Sequence, residues 1–137
     1  MIVADTNTIA YLYINSDKSA QAEQLLMREP RWIAPSLWKS EFRNVLALYL
    51  RKNILTFDEI LMIIQQAENL MLENEYEVSS VQILHLVNAS DCSAYDCEFV
   101  ALAKLLNIPL ITSDKKIINA FPGIAQTIHD FIGQCSS

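Results

Sequence analysis

A chain of 137 residues that is 52% hydrophobic and 19% charged has enough apolar surface to offset chain entropy, which excludes intrinsic disorder and fits one domain over residues 1–137. Its net charge of −6 is not the basic footprint of an ordinary phosphate binder, although bound cations can reverse the local potential of an acidic site. Cys92, Cys97 and Cys135 form no C-x-x-C pair and leave an odd count, which favours reduced thiols over a disulfide framework or a zinc site.

The pattern Met1-Ile2-Val3-Ala4-Asp5 lacks the basic start of a signal peptide, and the apolar run 45–50 is far too short to span a bilayer. A cytoplasmic protein with no membrane association is expected. Ile2-Val3-Ala4 predicts a short buried strand, followed directly by a helix over 6–14. Asp17 or Ser19 starts a second helix through Met27, and 31–34 predicts a second strand. Over 36–52 the apolar residues Trp38, Phe42, Val45, Leu46 and Tyr49 recur at helical spacing.

Thr56-Phe57-Asp58-Glu59 is a capping box opening a long amphipathic helix with Ile60, Ile63, Ile64, Ala67, Leu70 and Met71 on its stripe. Leu61 and Met62 fall outside that stripe and add apolar surface that needs a partner. A strand over 78–81 and a short helix over 83–87 follow, then a helix over 93–106 that Asn107 ends in the left-handed conformation. The remaining chain predicts a strand over 109–112, a last full helix over 115–121 and a final strand over 124–128. Alternating strands and helices imply a three-layer α/β/α sandwich with a mostly parallel, buried sheet, whose ligand site lies at the strand carboxyl ends.

Four acids stand out. Asp5 and Asp114 each end a strand and precede a helix, so each is explained singly as an N-cap, but caps do not explain two of them at one edge of one sheet. Asp96 lies in the first turn of its helix, where the dipole favours an acid. Glu41 is the most informative. It sits on the shoulder of an apolar face, and its neighbours one turn away, Leu37, Trp38, Asn44 and Val45, include no base. A half-buried, unpaired glutamate is costly unless a cation compensates it. Converging carboxylates repel, and a hard divalent ion relieves the repulsion; an all-oxygen set suits Mg2+ or Mn2+. His85 and His129 are isolated on apolar segments and read as packed or solvated.

The sequence resembles the PIN-domain ribonucleases, particularly the VapC-type toxins of prokaryotic toxin-antitoxin pairs. The resemblance rests on Val3-Ala4-Asp5-Thr6-Asn7, Ser40-Glu41-Phe42-Arg43-Asn44-Val45-Leu46, Tyr95-Asp96 followed by Ala101-Leu102-Ala103, and Pro109-Leu110-Ile111-Thr112-Ser113-Asp114, in family order over nearly the whole chain. It implies a PIN-like three-layer fold, Asp5, Glu41, Asp96 and Asp114 as the acidic quartet, Thr6 and Thr112 as hydroxyls near the site, and frequent homodimers. The chain departs from the family pattern at Asn107, where glycine is common, and carries two further acids, Asp91 and Glu98.

The function expected is hydrolysis of RNA phosphodiesters with Mg2+ or Mn2+. Asp5, Asp96 and Asp114 would be ligands, Glu41 would orient or deprotonate water, and Lys115 and Lys116 would hold the substrate backbone. Lys39 and Arg43 point away from Glu41. A VapB-like antitoxin and a second copy of the chain are the expected protein partners. The alternatives are an aspartate-based phosphotransfer or phosphatase domain, which would want a second acid where Asn7 stands, and a non-catalytic interaction module, which would be expected to lack one of the four acids.

Overall fold

The computed structural model describes residues 1–135, the Cys135 side chain excepted. In chain order the elements are β1 (Ile2–Ala4), α1 (Thr6–Tyr13), α2 (Ser19–Arg28), β2 (Trp32–Pro35), α3 (Leu37–Arg51), α4 (Phe57–Met71), β3 (Glu75–Tyr76), α5 (Ser80–Asn88), α6 (Ala94–Leu106), β4 (Leu110–Ile111), α7 (Lys115–Ala120), β5 (Ala125–Gln126) and α8 (Ile128–Cys135). The five strands form one sheet in the order β3-β2-β1-β4-β5, and every neighbouring pair is parallel. Parallel neighbours need crossovers, which here are helical and leave both sheet faces covered. Accordingly Ile2, Val3, Ala4, Trp32, Ile33, Ala34, Leu110 and Ile111 are all fully buried, and the strands read as unbroken apolar runs without alternation.

Helix α6 packs across β1, β2 and β4 with α5 against it, while α3 and α4 reach β2 and join α1. The core side chains Trp38, Phe42 and Leu46 repeat every four residues along α3 and are buried, as expected from the spacing. The capping box at Thr56 is complete: Glu59 N donates to Thr56 Oγ1 at 3.2 Å and Thr56 N donates to Glu59 Oε1 at 2.9 Å. Asn107 ends α6 at φ 55° and ψ 47°, the left-handed conformation that asparagine tolerates better than most side chains. Among the described residues no helix is long and apolar enough to cross a membrane.

Three expectations are corrected. The strand expected over 78–81 is absent, because Ser79 accepts a hydrogen bond from Gln82 N and starts α5. The strand lies upstream, where Ala34 N donates to Asn74 O and Ser36 N to Tyr76 O, in a charged two-residue edge segment with no hydrophobic signature. The final strand is confined to Ala125–Gln126, and the helix over Lys115–Ala120 is not the last. Thr127 Oγ1 accepts from Asp130 N at 3.0 Å and opens α8, a T-x-x-D signal that was present in the sequence.

Candidate active site

Strand order positions the site. The chain builds outward from β1 through β2 to β3, then returns to add β4 on the other side of β1, so the direction of winding switches between β1 and β4. A crevice opens at the carboxyl ends of strands at such a switch. Asp5 leaves β1 and Asp114 follows shortly after β4, so both stand at its mouth.

Asp5 caps α1 and is held on both oxygens. Oδ1 accepts from Thr8 N at 2.8 Å, and Thr8 Oγ1 lies 2.7 Å from the same oxygen and 3.2 Å from the Ile111 carbonyl, so its single proton is shared. Oδ2 accepts from Thr112 Oγ1 at 2.5 Å. That hydroxyl in turn accepts from Asp114 N at 3.0 Å, and Asp114 Oδ1 caps α7 by accepting from Lys116 N at 2.9 Å. Thr112 therefore ties the two aspartate-bearing loops to each other. One lone pair of Asp5 Oδ2 and the whole of Asp114 Oδ2 remain for other partners.

Glu41 projects from α3, half-buried, and its Oε1 accepts from Thr6 Oγ1 at 2.7 Å. Among the described residues no basic side chain pairs with it, but it is not unpaired: Thr6 sits directly after Asp5 and supplies a neutral donor. Asp96 lies on the first turn of α6, whose cap is Ser93 Oγ accepting from Asp96 N at 3.1 Å. Ser93-Ala94-Tyr95-Asp96 has the spacing of a capping box, but the Asp96 carboxylate does not close it and makes no hydrogen bond among the described residues.

These four acids line one cleft of about 260 Å³ together with Thr6, Asn7, Asn44, Val45, Phe99 and Ile117. Desolvation pushes the Asp5 carboxyl above its ordinary range; the hydrogen bonds from Thr112 and Thr8 oppose this, and the charge of Asp114 adds to it. Glu41 is likewise raised, by burial first, against the Thr6 bond and with the charges of Asp96, Asp5 and Glu98. Among the described residues no three His, Cys, Asp or Glu side chains already converge as a coordination set. The carboxylates instead ring the cleft. The donor set nevertheless fits a hard divalent ion: it is all oxygen, and the cleft is roomy enough for an ion that keeps several of its waters.

Thr6 lines the cleft, whereas Thr112 supports Asp5 from behind. Lys115 and Lys116 are exposed on α7 and do not line the cleft. Lys39 lies 3.8 Å from Glu75 and Arg43 is exposed, and neither lines the cleft. Glu98 is half-buried near Glu41 and Glu77 without lining the cleft, its carboxyl raised by burial and then by Glu77. Asp91, His85 and His129 are exposed and Cys92 and Cys97 are buried free thiols; the Cys135 side chain lies outside the described residues. The roles of Thr8, Asn7 and Asn44 were not anticipated. Thr8 could have been read from its place three residues after an N-cap aspartate, and Asn44 from its place one turn after Glu41. A larger cavity of about 880 Å³ runs beside β5 and α8 but holds none of the four acids, so the candidate site is singled out by chemistry rather than size.

The family model described as "PIN domain" matches residues 2–121 of this chain. Ribonuclease VapC3 of Pyrobaculum aerophilum is 28% identical over 134 residues, covering 90% of this chain and 96% of that protein. The crystal structure of PAE2754 from Pyrobaculum aerophilum is similar with a TM-score of 0.77 at 13% identity, covering 97% of this chain and 94% of that one. A toxin-antitoxin complex from Klebsiella pneumoniae is similar with a TM-score of 0.69 at 18% identity, over 93% of this chain and 98% of that one.

Proposed function

Because this chain belongs to the PIN domain family, we propose that it is a metal-dependent endoribonuclease and the toxin of a toxin-antitoxin pair, acting in the cytoplasm with Asp5, Glu41, Asp96 and Asp114 as its catalytic carboxylates. The observation that carries the reading is the meeting of these four acids, drawn from the β1–α1 junction, α3, α6 and the β4–α7 loop, around one cleft. The similarity to a ribonuclease over most of both chains supports it.

A bound Mg2+ or Mn2+ would supply a lowered water pKa and charge neutralisation at the phosphoryl oxygens. The residues of the chain prepare that chemistry. Asp5, fixed by three donors, keeps a single defined lone pair for a ligand, and Asp114 is aligned to it through Thr112. Asp96 contributes a carboxylate that makes no hydrogen bond among the described residues. Glu41, raised by burial and by its acidic neighbours, is poised to take the proton of an attacking water while Thr6 fixes its rotamer. The amides of Asn7 and Asn44 can donate to substrate oxygens at the cleft wall. Lys115 and Lys116, exposed next to Asp114, would engage the RNA backbone outside the cleft. Asp5 is held as a ligand and not presented as a nucleophile, which weighs against aspartyl phosphotransfer.

The same reading includes a homodimer and an antitoxin bound along α3, α4 and the turn between them, where Leu48, Ile54, Phe57, Leu61 and Met62 are exposed apolar residues. A basic side chain from such a partner, placed among the carboxylates, would compete with the ion. The deciding experiment incubates purified protein with single-stranded RNA in Mg2+ or Mn2+. Cleavage by the wild type and its loss in Asp5→Asn and Asp114→Asn are expected; no cleavage with either ion, together with a flat metal-binding isotherm, would overturn the proposal.

A further inference from the structure

Behind the acidic cleft lies a second cavity of about 180 Å³, lined among others by Thr8, Tyr11, Lys18, Gln21, Ser113 and His129. The two cavities share a wall. Thr8 and Thr112, whose hydroxyls bond Asp5 in the cleft, both line the second cavity, and consecutive residues Ser113 and Asp114 line one cavity each. Their chemistry is opposite. The cleft carries four acids and no base, whereas the second cavity has Lys18 in its wall and no carboxylate among the described residues.

Lys18 makes no ion pair among the described residues. Its ammonium lies 5.5 Å above the Tyr11 ring, and the Tyr11 and Ser113 hydroxyls meet at 2.7 Å. Gln21 and His129 add further donors. The cavity is smaller than the roughly 300 Å³ at which whole-ligand pockets begin, so it suits one group of a longer chain. The Lys18 ammonium beside the Tyr11 and Ser113 hydroxyls and the Gln21 amide matches a singly charged phosphodiester. A base is disfavoured, because the Tyr11 face on which it would stack is already covered by Lys18.

We propose that this cavity is a backbone subsite that holds a phosphodiester of the RNA strand adjacent to the one at the cleft, with Lys18 as its cation. The inference rests on the ribonuclease reading above. It gives an acidic protein a local positive site for a strand that the four carboxylates would otherwise repel.

Steady-state cleavage of single-stranded RNA in Mn2+, measured over a salt series, tests it. Lys18→Met is expected to raise KM several-fold at unchanged kcat and to flatten the dependence of log KM on log salt by about 0.7, the contribution of one single-strand phosphate contact. Lys18→Arg should retain the wild-type values, and so should Lys52→Met, which removes a charge that lines neither cavity. If Lys18→Met lowers the melting temperature sharply, Lys18→Gln replaces it with the same expectation. Unchanged KM and salt slope would overturn the subsite while leaving the ribonuclease intact. A fall in kcat at unchanged KM would also overturn it, since Lys18 would then act only through the support of Asp5. A wild type that cleaves no RNA would remove both readings together.

Discussion

Thr112 Oγ1 donates a 2.5 Å hydrogen bond to Asp5 Oδ2 across 107 residues of sequence and accepts from Asp114 N at 3.0 Å. One fully buried hydroxyl thereby sets the spacing of two acids that the candidate mechanism needs. Of the hydrogen bonds to Asp5, this one does most to oppose the upward push of desolvation on its carboxyl.

Thr112→Val keeps the shape and removes the donor. Stability is expected to fall by about 1–3 kcal/mol, since a buried charged acceptor loses a partner. The Asp5 carboxyl rises further, so the acidic limb of the cleavage profile moves to higher pH. Thr112→Ser should restore both properties. Chemical denaturation and a pH–rate profile check the pair of outcomes, and an unmoved limb would show that Thr112 does not govern Asp5.

Asp96→Asn should stabilise the metal-free protein, because Asp96 is one of the charges that raise Glu41 and its carboxylate does not close the cap of α6. The lost helix-start interaction is worth about 0.3–1 kcal/mol and opposes this gain. Thermal unfolding in excess chelator is expected to show a rise of roughly 1–3 °C. A clear drop would mean that Asp96 serves chiefly the start of α6.

The raised carboxyls of Asp5 and Glu41 fix the sign of a pH effect. Their folded values lie above the ordinary 3.8 and 4.5, so between those values and the folded ones the native state binds more protons than the unfolded chain. Their contribution to stability is fully present below 3.8 and 4.5 and is lost as pH rises through the folded values. In chelator, the melting temperature of wild type minus that of Asp5→Asn/Glu41→Gln should therefore increase as pH is lowered from neutral. Saturating Mg2+ or Mn2+ should remove or reverse that trend, since a bound cation favours the ionised forms. A difference that is flat with pH in chelator would contradict the shifts.

Met62, 62% exposed on α4 beside Leu61, is placed in the proposed self-association surface. Met62→Lys is expected to shift a dimeric mass toward the monomer in light scattering at micromolar concentration while leaving cleavage by the monomer measurable. A wild type that is already strictly monomeric, with a mass unchanged by the substitution, would remove the dimer from the proposal.

Most helices, the buried strands and the four acids that line the cleft were legible in the sequence. Those features are encoded locally: the Thr56-Glu59 capping box closes within four residues, Trp38, Phe42 and Leu46 repeat at one helical turn, and Asn107 suits a left-handed stop. Tertiary structure alone decided that β4 lies beside β1, and hence that Asp114 meets Asp5, because strand order is a long-range choice that no local pattern records. It also decided the Thr6 bond to Glu41, the Thr112 bridge and the second cavity with Lys18. The edge strand Glu75–Tyr76 escaped the sequence because two half-buried residues carry no periodicity. Its existence depends on backbone groups of β2 that are available only once the sheet has formed.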